Sequence, residues 1–283
     1  MNEQTTICSE IESCRELVWS ARQAGQVGLV PTMGALHQGH LSLVSASTQQ
    51  CDFTVVTVFV NPTQFSANED LSSYPRPLQE DCRVLADLGV DLIFTPDEST
   101  MYPLGCTTVV QPPAVAAALE GSHRRTHFQG VTTIVTKLFN VAPAHVAYFG
   151  QKDYQQTLVI RRMVADLNLP IEIQVEPTIR EPDGLALSSR NQYLDGEQRQ
   201  QAVSLSQSLF LAQERFDEGE SSATAILIDM SQHLHDRGVT DIDYVVLAHP
   251  DSLESVERVE VGTMALVAAR VGTTRLIDNK RIE

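Results

Sequence analysis

The stretch VGLVPTMGALHQGHLSLVSASTQQCDFTVVTVFV, residues 27–60, decides the fold. It opens on a short apolar run, Val27 to Val30, that stops at Pro31. A turn carrying glycines and histidines follows, and Leu41 to Gln50 reads as a helix. Phe53 to Val60 has the β-branched character of a parallel strand buried on both faces. Strand, helix and strand in this order make one crossover unit of a parallel sheet. The alternation extends outward on both sides. Ser9 to Ala24 reads as a helix, with Ile11, Cys14, Leu17 and Val18 on one stripe. Downstream come a helix over Leu78 to Leu88 stopped by Gly89, a strand over Asp91 to Phe94, a helix over Val131 to Asn140 and a strand over His145 to Phe149. A helix over Tyr154 to Asn168, ended by Pro170, and a strand over Ile171 to Val175 complete the series.

The pattern changes at the turn Glu181-Pro182-Asp183-Gly184. Two polar helices come next, about Asp195 to Asp217 and Ser222 to Arg237, and then two apolar strands, Ile242 to Leu247 and Met264 to Ala269. A chain of 283 residues exceeds the roughly 100–200 of one domain. The expected fold class is α/β: a Rossmann-like parallel sheet with helices on both faces over residues 1–184, followed by a smaller α+β domain over 185–283.

Composition narrows the function. With 42% hydrophobic and 20% charged residues this is an ordinary globular chain, neither disordered nor coiled coil. Phe53 to Val60, the longest apolar stretch, falls far short of the ~20 residues needed to span a bilayer. Met1-Asn2-Glu3-Gln4-Thr5-Thr6 has neither the basic nor the apolar region of a secretory signal. The net charge, 20 − 36 = −16, repels nucleic-acid phosphates and anionic lipid, so neither nucleic acid nor membrane is an expected partner. An anionic substrate then needs a locally positive pocket. Cys8, Cys14, Cys51, Cys82 and Cys106 form no CxxC pair and no zinc spacing. They read as free thiols in a reducing cytoplasm.

The chemistry gathers where strands are expected to end. In Pro31-Thr32-Met33-Gly34-Ala35-Leu36-His37-Gln38-Gly39-His40, Gly34 and Gly39 permit close approach of backbone to a nucleotide at a helix start. His37 and His40, three apart, face the same way on a first helical turn and offer hydrogen bonds to a triphosphate. Asn61-Pro62 ends the second strand and leaves Gln64 at the rim of the sheet. Gly150-Gln151-Lys152-Asp153 repeats the strand-to-helix logic. Lys152 lies against the positive end of the helix dipole, which suggests an anion there, whereas Asp153 is an ordinary N-terminal acid. Gln156 lies one turn on. Leu187-Ser188-Ser189-Arg190-Asn191 combines hydroxyls with an arginine fork, a phosphate clamp or else a serine helix cap.

Taken together, PTMGALHQGH at 31–40, FVNPTQF at 59–65, YPR at 74–76, LQEDC at 78–82, HFQGV at 127–131, the GQKDYQQ segment, DGLALSSRN at 183–191 and LIDNK at 276–280 resemble the pantoate–β-alanine ligases. These form a family of the HIGH-motif nucleotidyltransferase-like superfamily. The resemblance implies attack of pantoate carboxylate on the α-phosphorus of Mg²⁺-bound ATP, then attack of β-alanine on the pantoyl adenylate. It implies an ATP site built from Met33, Gly34, Ala35, Leu36, His37, Gln38, Gly39, His40, Gly150, Gln151, Lys152, Asp153, Ile179, Leu187, Ser188, Ser189 and Arg190. His40 takes the proton-donor position, and His37, Lys152, Ser188, Ser189 and Arg190 share the catalytic work. Gln64 and Gln156 would hold pantoate, Gln64 would also border β-alanine, and Asp81 would lie near magnesium. The family resemblance further implies a homodimer. Gln151 stands where glutamate is usual, and Ser122–Gly130 reads SHRRTHFQG where SRPGHFRG is usual. A related nucleotidyltransferase shares GxLHxGH but leaves FVNPTQF and GQKDYQQ unexplained. A non-catalytic nucleotide-binding protein would not need both histidines, the lysine and the arginine.

Overall fold

The structure, a computed structural model, describes residues 5–66 and 71–283; Met1 to Gln4, read above as carrying no secretory signal, lie outside the described residues. The chain divides into two compact units, Met1–Gly150 with Gln156–Glu176, and Gln151–Gln155 with Pro177–Glu283.

The first unit is built on β1 (Thr6–Cys8), β2 (Val27–Thr32), β3 (Phe53–Val58), β4 (Leu92–Phe94), β5 (Val146–Gly150) and β6 (Glu172–Glu176). They form one parallel sheet in the order β1-β4-β3-β2-β5-β6. Its helices are α1 (Ile11–Ala24), α2 (Gln38–Gln50), α3 (Leu78–Asp87), the short α4 (Glu98–Met101) and α5 (Glu120–His123), α6 (His127–Val141) and α7 (Tyr154–Asp166). Residue alternation along the strands feeds two cores. Leu29, Val55, Phe94 and Ala147 pack with Val18 of α1, Ile134 and Leu138 of α6 and Ile160 of α7. Val30, Val56, Ile93 and Tyr148 pack with Val44 of α2 and Leu85 of α3. Helices therefore cover both faces, as the two-sided apolar strands require.

The chain leaves β2 toward β3 and β4 on one side, while β5 and β6 lie on the other. Ligands of such sheets bind beyond the carboxyl ends of the strands at this reversal, which is where β2 delivers the histidine turn. Pro31 does not end β2, which runs on to Thr32. The β2–β5 pairing covers only Gly28↔Val146 and Leu29↔Ala147, whereas the β2–β3 pairing reaches Thr32↔Val58. Pro31 thus sits where the strand is paired on one side, a position that tolerates its missing N–H.

In the second unit β7 (Asp241–Ala248), β8 (Met264–Val271) and β9 (Thr274–Arg281) form an antiparallel sheet in that order. Helices α8 (Gly196–Asp217) and α9 (Ala223–Asp236) bury Leu205, Leu209, Ile226 and Met230 against Val267, Ala269 and Leu276. Asp195 caps α8 in a reciprocal box with Gln198, and Ser222 caps α9.

The smaller unit begins at Pro177, not at Leu185, and takes in Gln151–Gln155. The residues just before the expected boundary are bound to residues beyond it. Arg180 pairs with Asp278, Glu181 accepts from Arg199 and Asn191, and Ile179 accepts a backbone bond from Leu187. Strands β1 and β9 are additions to the sequence reading: the first has three residues, the second carries charge throughout.

Gly28 lets α2 lie close on β2. A Cβ there would overlap Ser47 Oγ and stand 3.0 Å from Cys51 Sγ and 3.2 Å from Tyr148. Gly28→Ala is expected to lower stability by about 1–3 kcal/mol through overpacking. Urea unfolding checks this; an unchanged midpoint would show that α2 yields freely.

Candidate active site

Beyond β2 the chain makes a left-handed turn, with Gly34 at φ 80° and Ala35 at φ 51°. Glycine takes this conformation readily; alanine does so at a cost that something else must offset. Asp81, on the first turn of α3, is the compensation. Its Oδ2 accepts from Ala35 N–H at 2.8 Å and its Oδ1 from Leu36 N–H at 2.9 Å. Thr32 Oγ1 accepts from Gly34 N–H at 3.2 Å and donates to the Thr57 carbonyl at 2.7 Å.

His37 caps α2. Its Nδ1 accepts from Gly39 N–H at 3.2 Å, and His40 Nδ1 accepts from His37 N–H at 3.4 Å. The two rings stack with centroids 4.0 Å apart. Because each Nδ1 is an acceptor, each neutral ring carries its proton on Nε2. The sequence places the two imidazoles together, and the structure does the same. A helix start ordinarily leaves several backbone N–H groups without intrahelical partners. Those of Gly34, Ala35, Leu36, His37, Gly39, His40 and Leu41 are instead engaged internally. The turn therefore offers side chains more than amides.

Gln64 lies in the tight turn Pro62–Gln64 after β3. Its Nε2 donates to Met33 Sδ at 3.0 Å and its Oε1 accepts from Asn61 at 3.1 Å. Asn61, 1% exposed, also donates to the Gly130 carbonyl and accepts from Tyr102 Oη at 2.8 Å. Burial pushes the Tyr102 phenol above its ordinary range, which keeps it a donor. His127 Nδ1 lies 2.9 Å from the Gln64 carbonyl. A Cβ on Gly130 would fall 2.5 Å from the Thr63 carbonyl and 2.6 Å from the Gln64 backbone. Asn61, Tyr102, His127 and Gly130 thus fix Gln64, and the sequence reading gave none of them this task. Gln156 is half-buried on the first turn of α7.

Gly150 ends β5 in the first unit, and the remaining candidates belong to the second. Lys152 sits in a tight 3-10 turn, Gln151–Asp153, ahead of α7 and not within its first turn. Its ammonium is 3.9 Å from Asp153. Ile179 and Leu187 share a backbone hydrogen bond of 3.0 Å. Ser188 Oγ accepts from Arg190 N–H at 3.3 Å and so caps the turn Ser189–Tyr193, the bland reading of that serine realised beside the arginine. Arg199 and Asn191 hold the Glu181 carboxyl below its ordinary range.

Asp81 does not fit a direct magnesium ligand. It is 3% exposed, and both its oxygens serve the turn. No group of three or more His, Cys, Asp or Glu is gathered for a metal ion among the described residues. Nor is any described helix long and apolar enough to cross a membrane.

A doubly wound parallel sheet whose reversal strand delivers a GxLHxGH turn is the architecture of a nucleotide-binding α/β fold. Within it, the chain belongs to the pantoate–β-alanine ligase family: the family model described as Pantoate-beta-alanine ligase matches residues 6–281. The pantothenate synthetase of Moorella thermoacetica is 49% identical over 274 residues, 96% of this chain and 97% of the relative. That of Roseiflexus castenholzii is 51% identical over 263 residues, 93% and 95% of the two chains. The crystal structure of pantothenate synthetase from Thermus thermophilus matches with a TM-score of 0.93 at 42% identity, covering 98% of this chain and 99% of that one. The pantoate-beta-alanine ligase of Francisella tularensis, solved with beta-gamma ATP and beta-alanine, matches with a TM-score of 0.82 at 33% identity, covering 98% and 97%.

Asp81→Ala leaves two N–H donors of a strained turn without acceptors. It should lower stability by about 1–3 kcal/mol per donor left buried. Guanidinium unfolding measures it; wild-type stability would remove Asp81 as the anchor.

Proposed function

We propose that this chain condenses (R)-pantoate with β-alanine in two steps at the expense of ATP. In the first, a pantoate carboxylate oxygen attacks the α-phosphorus and the bond to pyrophosphate breaks. In the second, the β-alanine amine attacks the acyl carbon of pantoyl adenylate, AMP leaves, and the amine loses a proton. The reading is carried by the stacked His37–His40 pair at the sheet's reversal point in a member of this ligase family.

The physical difficulty is that both reactants are anions. A protein of net charge −16 makes this worse at long range and must overcome it locally. His40 and His37 offer Nε2–H donors to the phosphates, with His40 supplying the proton-donor group. Lys152 and Arg190 supply positive charge, and Ser188 and Ser189 supply hydroxyl donors. Preorganised donors of this kind act where charge develops in the transition state. Gln64 and Gln156 orient pantoate, and Gln64 also borders β-alanine. The rigid support of Gln64 suits a group that fixes an attacking carboxylate. Met33 to His40, Gly150 to Asp153, Ile179 and Leu187 to Arg190 form the ATP contacts. Magnesium enters as part of the ATP substrate, where it would offset phosphate charge. Cysteines and serines need not act as nucleophiles, because adenylation itself creates the leaving group. The five cysteines are all free thiols, which supports a cytoplasmic enzyme. A homodimer is the assembly the family resemblance implies.

AMP formation should require pantoate, β-alanine and ATP together, whereas ATP–pyrophosphate exchange should require pantoate but not β-alanine. Exchange that ignores pantoate would refute the assignment. His40→Ala or Lys152→Ala should slow exchange by at least about 100-fold. Gln64→Ala should mainly raise the pantoate KM, and an unchanged KM would take Gln64 out of the site.

A further inference from the structure

The carboxyl-terminal strand β9 carries an unusual pair, Asp278 and Asn279, 4% and 3% exposed. Neither residue type favours a strand interior. Each makes contacts that pure sheet packing does not need. The Asn279 side-chain nitrogen donates to two successive carbonyls, Gln151 at 3.0 Å and Lys152 at 2.9 Å. Both partners are acceptors only, so the amide nitrogen must face them. Among the described residues, Asn279 Oδ1 is buried without a hydrogen-bond partner. A buried orphan acceptor is destabilising, so this asparagine is poorly explained by stability alone. Asp278 fixes the other side of the asparagine. It accepts from Arg180 Nη1 at 2.6 Å and Nη2 at 3.0 Å, and from Asn279 N–H at 2.7 Å. Arg180 also donates to the carbonyls of Gly184 at 3.1 Å and Asn279 at 3.3 Å.

Two of these bonds, both from Asn279, reach a short turn, and the others hold Asn279 in place. Gln151–Asp153 is one 3-10 turn; its lysine ammonium lies 3.9 Å from Asp153 and also feels the charge of the Asp278 carboxylate, the neighbour of Asn279. We propose that Asn279 is a positioning residue for Lys152: by gripping the carbonyls of Gln151 and Lys152 it sets the direction in which the ammonium is presented to the phosphates of ATP. Asn279 touches no reacting atom, and the Arg180–Asp278 pair keeps it in register. The proposal rests on the assignment of Lys152 to the phosphates, so the test separates the two.

Pantoate-dependent ATP–pyrophosphate exchange is measured for Asn279→Ala, Asn279→Asp, Lys152→Ala and the Lys152→Ala/Asn279→Ala double variant. Amide hydrogen exchange across residues 150–156 is followed in parallel. Asn279→Asp keeps the size of the side chain and replaces the donor with an oxygen, so it guards against simple loss of packing. Both Asn279 variants should lower kcat for exchange about 10- to 100-fold, as expected for a misplaced group, while the pantoate KM holds. They should also speed hydrogen exchange in that segment. The double variant should be no slower than Lys152→Ala alone, because residues acting through one another are not additive. A double variant in which the two losses multiply would overturn the proposal, and so would wild-type kcat in both Asn279 variants. Should Lys152→Ala itself be near normal, the Lys152 assignment fails and the catalytic limb of the proposal with it. Hydrogen exchange then decides the grip alone: faster exchange supports it and unchanged exchange overturns it.

Discussion

Everything at the reversal point depends on what accepts the N–H groups of the turn after β2. A chain that passes from a buried strand into a helix through two left-handed residues exposes several donors at once. Asp81 and Thr32 take three of them, and the two histidine rings take two more. The arrangement binds each imidazole at Nδ1 and leaves Nε2 as the protonated nitrogen. Tautomer, ring stacking and helix start are therefore set by one network. The carboxylate that holds it comes from α3, a different part of the sequence.

The same logic of support from a distance recurs around Gln64. Its side chain is bracketed by Met33 and Asn61, and its backbone by His127 and Gly130. A flexible glutamine becomes a fixed one because helix α6 lies directly against its turn. The acidic surface of the molecule sets the long-range field, but these short contacts set the geometry in which anions meet.

Much of this was legible in the sequence, for identifiable reasons. Phe53 to Val60 announced a strand because it is apolar on both faces, and the histidine turn was readable because glycine and histidine are rare at that density. What was hidden falls into one class: polar residues whose partners are remote. Strand β9 reads as TRLIDNKR, and its buried Asp278 and Asn279 make sense only beside Arg180 and the Lys152 turn. Asp81 carries no local sign of its support of the turn, since nothing near it in the sequence shows that Ala35 and Leu36 donate to it. Asn61 looked only like a strand terminator beside a proline. Pairs separated by tens of residues leave no periodic trace, so the boundary at Pro177 was equally invisible.

The five residues Gln151–Gln155 belong with a unit whose other residues begin only at Pro177. A fragment excised at that point would lack a piece supplied from earlier in the chain. Asn279 would then face solvent where two carbonyls belong, and the buried Arg180–Asp278 ion pair would border a gap. A cut at Pro177 separates this short internal insert from the rest of its unit, so modular recombination of the carboxyl-terminal part between relatives would have to carry the insert with it.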